Sequence, residues 1–258
     1  MPVRLMSRSS ATRPYKWLAE YYDKVFTFHH EWFEAVHAKL LAPVMPKVSV
    51  ACDLCCGTGA TAVHLARQGI RTYAVDLSPG MCRATRAKAR EAGVRVRVSR
   101  GDMREFTLPE PVDLITSECD AINHLPEAGD LPRVAAAVAA ALRPGGWFFF
   151  DVNNRAAFDT VWQLNWWIDR GDVSVAMEGG SEGDRAWTDV HWFIREGGLW
   201  RRHEERVEEV CWPASEIKDV LRGAGFDRIR CWDAAPLLNN PMTRPGYRTF
   251  YLARKAKQ

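Results

Sequence analysis

Short apolar runs alternate with helix-like segments along the first part of the chain. Five of these runs have the length of buried strands and lie at 48–54, 71–76, 94–99, 112–117 and 147–152. The segments between them carry helix signals; Ser78, for example, can cap a helix that ends at Gly93. Strands that alternate with helices predict a parallel sheet with helices on both faces.

The pattern changes after residue 153. Apolar and polar residues alternate through 154–212, and glycine pairs at 179–180 and 197–198 stand between the alternating runs. This pattern predicts an antiparallel β lid, inserted into the α/β fold, with the glycine pairs separating its strands.

The two ends of the chain complete the predicted organisation. Aromatic residues at helical spacing indicate an N-terminal helical cap within 1–46, and 213–258 contains a helix and two strand-like runs that can complete the sheet. We therefore expect one domain over 1–258, with its core at 47–153.

Composition limits the class of protein. An apolar fraction of 47% over 258 residues supplies a full core, and no apolar run is long enough to span a bilayer. Seven cysteines, an odd number spread along the chain, favour a reducing compartment, so we expect a cytoplasmic protein. The net charge of +3 is small, and the basic run from Arg83 to Arg104 is typical of a solvated face. The first residues, rich in arginine and without an apolar segment, favour a disordered basic tail and leave an organellar transit peptide as the open alternative.

The stretch ACDLCCGTGAT, at 51–61, allows two interpretations. Cys52 and Cys55 form a C-x-x-C pair, which indicates zinc or thiol chemistry. Gly57 and Gly59, which follow a strand, indicate instead a turn that approaches a nucleoside. A structural zinc site ordinarily needs four ligands, and the chain has no second C-x-x-C or H-x-x-x-H pair. The nucleoside-binding turn is therefore favoured, and we expect no metal.

Two later acids support this interpretation. Asp76 lies 23 residues after Asp53, at the tip of the second strand, where a carboxylate can accept both hydroxyl groups of a ribose. After the third strand, in Gly101-Asp102-Met103, the carboxylate can accept from an adenine amino group and the methionine can pack on the ring.

The chain resembles the class I S-adenosylmethionine-dependent methyltransferases in five segments, which stand in the family's order. They are DLCCGTG at 53–59, DLSPGM at 76–81, GDM at 101–103, VDLITSECDAINHL at 112–125 and LRPGGW at 142–147. The resemblance is closest to small-molecule enzymes such as the amino-sugar and glycine/sarcosine N-methyltransferases. It implies an α/β, Rossmann-like fold with a seven-stranded, mostly parallel sheet in the order 3-2-1-4-5-7-6, strand seven being antiparallel. The chain departs from the family at Cys55, which replaces the first glycine of the loop.

The resemblance implies S-adenosylmethionine as the cofactor and S-adenosylhomocysteine as the product, bound by the core at 47–153. The implied cofactor-binding residues are Tyr15, Tyr21, Tyr22, Asp53, Cys55, Gly57, Gly59, Asp76, Leu77, Met81, Gly101, Asp102, Met103, Glu118 and Cys119.

It also implies transfer of a methyl group to a nitrogen or an oxygen of a small molecule. His124 can act as the base, because an imidazole titrates near neutral pH, or it can cap a loop. Asp120 can orient the acceptor or cap a turn, and Tyr22 can close over the methyl group or pack in the core.

The lid would cover the acceptor and support a homodimer. Seven of the 11 tryptophans lie between 162 and 212. Residues such as Trp187 and Trp200 can pack the lid onto the sheet or onto another subunit, whereas Trp166 or Trp167 can line an acceptor pocket.

The same residues leave three other functions open. The basic run from Arg83 to Arg104 is the support for a nucleic-acid methyltransferase, although the N/D-P-P-Y tetrad of amino-directed enzymes does not follow strand four. A nicotinamide-dependent dehydrogenase needs three loop glycines, whereas Cys55, Gly57 and Ala60 stand at those positions. A non-catalytic nucleoside-binding protein would carry the same cofactor motifs.

Overall fold

A seven-stranded sheet forms the centre of the protein, whose computed structural model describes residues 15–26, 29–238 and 243–257. Its strands are β1 (Val50–Leu54), β2 (Arg71–Asp76), β3 (Val96–Arg100), β4 (Val112–Ser117), β5 (Leu142–Asn153), β10 (Phe226–Asp233) and β11 (Arg248–Lys255). Their order is β3-β2-β1-β4-β5-β11-β10; β1 to β5 are parallel, and β11 is antiparallel to both neighbours. This confirms the expected α/β fold and its strand order. The basic tail lies outside the described residues.

Helices cover both faces of this sheet. They are α1 (Lys16–Val25), α2 (His29–Leu40), α3 (Ala60–Arg67), α4 (Pro79–Glu91), α5 (Asp130–Ala141), α6 (Arg155–Phe158) and α7 (Ala214–Gly223). Successive side chains of β5 alternate between the two faces: Phe148 and Phe150 pack with α5 and α7, whereas Phe149 packs with α2 and α3. None of the helices in the described ranges combines the length and the apolarity that crossing a bilayer requires.

A separate antiparallel sheet, the lid, lies between β5 and α7 along the chain. Its strands are β6 (Asn165–Asp169), β7 (Val173–Glu182), β8 (Arg185–Glu196) and β9 (Leu199–Val210), in sequential order. Its inner face packs on α1, where Val175 and Trp192 are buried together with Val25 and Phe26. The predicted turn at 197–198 joins β8 to β9.

The glycine pair at 179–180, predicted to separate two strands, lies inside β7 instead. A Cβ on Gly179 would lie 2.2 Å from the carbonyl oxygen of Trp162, and one on Gly180 would lie 2.7 Å from the ring of Trp187. These glycines are therefore required by close packing of the strand and not by a turn. The strand β5 also starts earlier than the predicted 147, because Leu142 already pairs with β4 before a shift in register.

Candidate active site

A cavity of about 1340 Å³ opens where the carboxyl ends of the parallel strands meet α1 and the lid. All but two of the predicted site residues line it: Tyr15, Tyr22, Asp53, Cys55, Gly57, Asp76, Leu77, Met81, Gly101, Asp102, Met103, Glu118, Cys119, Asp120 and His124. The sheet brings most of them together because the parallel strands β1 to β4 end at one edge, so the loops that follow them are neighbours.

Two predicted residues lie elsewhere. Gly59 begins α3 with φ 85, and a Cβ there would lie 2.5 Å from a methyl carbon of Thr85, so this glycine serves helix packing. The ring of Tyr21 lies 6.1 Å from that of Trp192, among the side chains that join α1 to the lid. Neither is among the residues that line the cavity.

Asp76 links the two loops that the sequence assigns to the nucleoside. Its carboxylate accepts hydrogen bonds from the amide of Gly57 at 2.9 Å and from the amide of Ser78 at 2.8 Å. Burial raises the pKa of Asp76, and the two amides oppose that shift. Each carboxylate oxygen takes one of these amide donors and can accept a further one, which is what the two hydroxyl groups of a ribose need.

Left-handed backbone is concentrated around this cavity. Among the described residues, the non-glycine residues with positive φ are Tyr15, Cys55, Cys119 and Asp120, and all four line the cavity. At φ 57, Cys55 follows a backbone path that suits the glycine it replaces, at a cost of about 1–2 kcal/mol. Burial raises the pKa of its thiol, which therefore stays protonated and is a poor nucleophile.

Asp53 is a buried acid whose oxygens are engaged by the protein itself. It accepts from the amide of Ala62 and from the hydroxyl group of Thr116, each at 3.0 Å. Burial, followed by the charge of Glu118, raises the pKa of Asp53 to about 8. Its contacts hold α3 against β1 and β4, so its first role is to fix the loop.

Glu118 is held by His37, a residue that the sequence did not single out. Nε2 of His37 lies 2.6 Å from Oε1 of Glu118, and the hydroxyl group of Thr61 donates to Oε2 at 2.7 Å. Burial lowers the pKa of His37, but the neighbouring carboxylate outweighs burial and the net shift is upward. A signal was present, since His37 lies one helical turn from both Phe33 and Leu41, on the apolar stripe of α2.

Asp102 is bound by Arg104. The amide and Nε of Arg104 donate to Oδ1 of Asp102, each at 2.9 Å, and Nη2 donates to Oδ2 at 2.6 Å. These bonds lower the pKa of Asp102, which stays ionised. An adenine amino group would therefore share this carboxylate with Arg104.

Tyr15 and His124 form a pair on the lid side of the cavity. Nδ1 of His124 lies 3.1 Å from the hydroxyl oxygen of Tyr15 and 3.0 Å from the carbonyl oxygen of Glu208. Because a carbonyl oxygen can only accept, these contacts assign the ring proton to Nδ1, which leaves Nε2 as the basic nitrogen. Burial, with the charges of Glu209 and Asp120, raises the pKa of Tyr15, so this side chain is a neutral phenol.

Beside this pair lies a polar cluster, which we call the acidic cluster; it consists of Asp120, Asp151, Asn153, Glu209 and Arg248. Arg248 forms ion pairs with Asp151 and, at 2.8 Å, with Asp120. The side-chain amide of Asn153 donates to Asp120 at 2.6 Å and to Glu209 at 3.0 Å. The cluster thus sets three carboxyl groups against one guanidinium group.

The acidic cluster favours a cation. Burial raises the pKa of Glu209 well above its usual range and that of Asp151 to about 7, because nearby positive charge is insufficient. Ligand atoms of Asp120, His124 and Glu209 lie within 4.8 Å of one another, which is a spacing that could hold a metal ion. Within the described ranges no other group of three has this spacing, and the cysteines at 52–56 are therefore not such a group.

The tryptophans of the lid lie on both faces of its sheet. Trp166 pairs with Met177, and both line the cavity. Trp187 and Trp200 lie on the face of the lid opposite α1, so they do not pack the lid onto the central sheet. Trp167 also borders the cavity, although this residue is 62% exposed on the outer face of the lid.

The sequence missed Asn153, Glu209 and Arg248, which come from β5, β9 and β11. Asp151 gave a weak signal, since it is a charged residue directly after the apolar run at 147–150, whereas Arg248 only begins a strand that also contains Arg254 and Lys255. Glu209 gave none, because the polar positions of β9 read as an exposed strand.

Comparison with known proteins gives matches over most of the chain. Residues 51–146 match a family described as "Methyltransferase domain". The chain is 26% identical to the putative methyltransferase YqeM of Bacillus subtilis (strain 168), over 94% of this chain and 98% of that protein. It is 26% identical to the dTDP-3-amino-3,4,6-trideoxy-alpha-D-glucopyranose N,N-dimethyltransferase of Streptomyces venezuelae, over 77% of this chain and 84% of that protein. The crystal structure of an S-adenosylmethionine-dependent methyltransferase from Clostridium acetobutylicum ATCC 824 is similar with a TM-score of 0.78 at 25% identity, covering 94% of this chain and 99% of that one.

Proposed function

We propose that this chain is a class I S-adenosylmethionine-dependent methyltransferase whose acceptor is a small-molecule amine. The enzyme transfers a methyl group from S-adenosylmethionine, which supplies that group on a positively charged sulfur, to a small molecule. The choice of nitrogen over oxygen is our inference, and it rests on the acidic cluster.

The cavity fits the cofactor in two respects. Asp76 offers acceptors for a ribose, next to a loop in which Gly57 carries no side chain. Leu77 is 55% exposed in the same wall, close in sequence to Met81, so an apolar surface is available for a flat ring to cover. We propose that the nucleoside lies along this wall.

The carboxyl groups of the acidic cluster support an amine. An ammonium group is a cation with three donors and can bond to Asp120 and Glu209 together, whereas a hydroxyl group brings one donor and no charge. A metal ion is a weaker fit, because the guanidinium group of Arg248 already lies 2.8 Å from Asp120. A neutral acceptor would add no positive charge to the single one that Arg248 supplies for the three carboxyl groups.

An ammonium nitrogen must lose a proton before its lone pair can attack the methyl carbon, and we propose that His124 accepts that proton. Its Nδ1 proton is held by the carbonyl of Glu208, so Nε2 presents the lone pair. Nε2 lies 3.8 Å from Oε1 of Glu209, which can stabilise the imidazolium that forms. Tyr15, as a neutral phenol, orients the ring. Alignment and exclusion of water in the covered cavity supply the rest of the acceleration.

Matched acceptors test the proposal. The purified enzyme is incubated with S-adenosylmethionine and pairs of small sugars that differ only in an amino or a hydroxyl group, and S-adenosylhomocysteine release is measured. The Streptomyces venezuelae relative is named for a dTDP-linked amino sugar, so nucleotide-linked amino sugars belong in the panel. We expect turnover of the amines alone; turnover of hydroxyl partners alone would contradict the proposal.

We also propose a homodimer through the outer face of the lid. Trp167 lies 5.8 Å from Phe193 on that face, and Trp200 is 49% exposed. Exposed aromatic side chains in one sheet face are typical of protein interfaces. Light scattering after size exclusion should give twice the chain mass, and Trp200→Lys should reduce it; a monomer at all concentrations would contradict the dimer.

Two further proposals concern surroundings and substrate range. All seven cysteines are free thiols, which supports a reducing, cytoplasmic location.

We propose that nucleic acid is not the acceptor, because side chains of the basic run form contacts within the protein. Arg86 donates to the carbonyl of Val98 at 2.9 Å, and Lys88 pairs with Asp23 at 2.7 Å. Filter binding with RNA at low salt tests this; tight, salt-dependent retention would contradict it.

A further inference from the structure

α1 begins without a capping side chain of its own. Tyr15 occupies the N-cap position with φ 67, and its side chain makes no hydrogen bond to the helix amides. The first amide groups of a helix have no partner within it and need acceptors from elsewhere. Tyr15 therefore stands at a helix start that its own sequence does not stabilise.

The lid supplies the missing acceptor through Glu205 of β9. One carboxylate oxygen accepts from the amide of Trp17 at 2.7 Å, and the other accepts from the amide of Leu18 at 3.0 Å. The second oxygen also accepts from the indole of Trp192 at 3.2 Å. Glu205 is 7% exposed, and its charge lies at the positive end of the helix dipole.

The lid also caps the other end of α1. Nε of Arg170, in the β6–β7 turn, donates to the carbonyl of Lys24 at 3.3 Å, and Nη2 donates to the carbonyl of Val25 at 3.2 Å. A carboxylate at the first turn and a guanidinium group at the last both suit the helix dipole. The lid therefore holds both ends of α1, and Val25 shares a buried apolar cluster with Trp192 of the lid.

The same strand face reaches the reacting side of the cavity. Glu205 and Glu209 project to one face of β9, because side chains alternate along a strand. Glu205 fixes the helix turn that follows Tyr15, and Glu209 lies beside His124. Glu205 itself is not among the residues that line the cavity.

We propose that Glu205 is a positioning residue: by capping α1 from the lid, it holds the hydroxyl group of Tyr15 against Nδ1 of His124. The Tyr15–His124 pair then forms only while α1 is docked on the lid. This inference rests on the proposed role of His124 for its effect on turnover, but not for its effect on structure.

The test compares Glu205→Gln with Glu204→Gln. In Glu205→Gln the side chain keeps its size but loses its charge and one of the two acceptor oxygens, and the NH₂ group that replaces this oxygen cannot accept from a helix amide. Glu204 directly precedes Glu205 in β9. Because its side chain is 59% exposed, Glu204→Gln is the matched control.

Two measurements do not depend on any acceptor. In Glu205→Gln we expect faster hydrogen exchange at the amides of Trp17 and Leu18, and a shifted NMR resonance of the His124 imidazole; in Glu204→Gln we expect neither. An imidazole resonance that is unchanged while the helix amides exchange faster would overturn the link from Glu205 to Tyr15. Unchanged exchange at both amides would overturn the cap.

Kinetics with an accepted amine complete the test. Tyr15→Phe and Glu205→Gln should each lower kcat by about tenfold, and the double variant should be no slower than Tyr15→Phe alone, because both changes remove one interaction. Additive losses would show that Glu205 acts on stability alone and would overturn the proposal. If no acceptor is methylated at all, the proposed function fails, whereas exchange and NMR still decide the role of Glu205.

Discussion

The two halves of the cavity are built in different ways. The half to which we assign the cofactor comes from loops after consecutive strands, so Cys55, Asp76 and Asp102 lie within one stretch of chain and meet at one sheet edge. The half to which we assign the acceptor joins His124 to Glu209 and Arg248, which come from the lid and from the last strand. The first half is thus a property of local sequence, and the second is a property of the completed fold.

The halves also differ in how their charges are satisfied. Asp76 accepts hydrogen bonds from two backbone amides and Asp102 from Arg104 before any ligand binds, although burial still raises the pKa of Asp76. Asp151 and Glu209 are buried with insufficient positive charge, and the pKa of each is raised by that burial. The cofactor half is therefore prepared in advance, whereas the acceptor half is completed by its ligand.

The largest difference between an effect on turnover and an effect on cofactor affinity is expected from His124→Gln. Loss of the base should lower kcat by about 10²–10³-fold while the affinity for S-adenosylhomocysteine is retained, because the imidazole lies on the acceptor side. Steady-state kinetics and titration calorimetry measure the two effects, and His191→Gln on the lid is the control. Full activity of His124→Gln would show that His124 only packs in the fold, and it would contradict the proposed difference between the two halves of the cavity.

The reciprocal change is Asp76→Ala. It removes the acceptors for the ribose and the anchor of Gly57, so the Kd for S-adenosylhomocysteine should rise about 100-fold, since a hydrogen bond to a charged group contributes about 1.5–3 kcal/mol. Circular dichroism should remain that of the native protein. An unchanged Kd in calorimetry would show that the ribose does not bind at Asp76.

Glu209→Gln should weaken only the acceptor half. We expect KM for the amine to rise about tenfold, because a charge-assisted hydrogen bond becomes a neutral one. In the parent enzyme burial raises the pKa of Glu209, so this carboxyl group must lose its proton to hold an ammonium ion, and acceptor affinity should rise with pH. The variant should show a flatter profile; an equally steep one would remove Glu209 from amine binding.

The smallest effect is expected from Asp53→Asn, in the cofactor half. The pKa of Asp53 is raised by burial to about 8 in the folded protein, above its value in the unfolded chain, so its contribution to stability is present at low pH and is lost as pH rises through 8. Asparagine does not titrate, so the melting temperature of the variant should depend less on pH between 6 and 9, a change of a few degrees. An identical pH dependence in a thermal scan would assign the titration to another group.

The central sheet could be predicted from the sequence, because each strand and each loop motif is one contiguous stretch of residues. Asp53 and Asp76 end neighbouring strands, and that spacing alone placed them together. Gly179 was misplaced because glycine is required both by turns and by close packing, here against Trp162, and only the fold distinguishes the two. Glu209 could not be found, since β9 is polar on both faces and its partners are far away in the chain.

Capping of α1 by Glu205 and Arg170 has a consequence for recombination between relatives. The lid is one continuous insertion, which invites its exchange as a cassette to change acceptor choice. A chimera that takes 154–212 from another enzyme would keep the parental α1 but lose the side chains that receive its amides and carbonyl groups. Residues 15–26 should therefore be inherited together with the lid, so the smallest exchangeable unit is two segments of the gene.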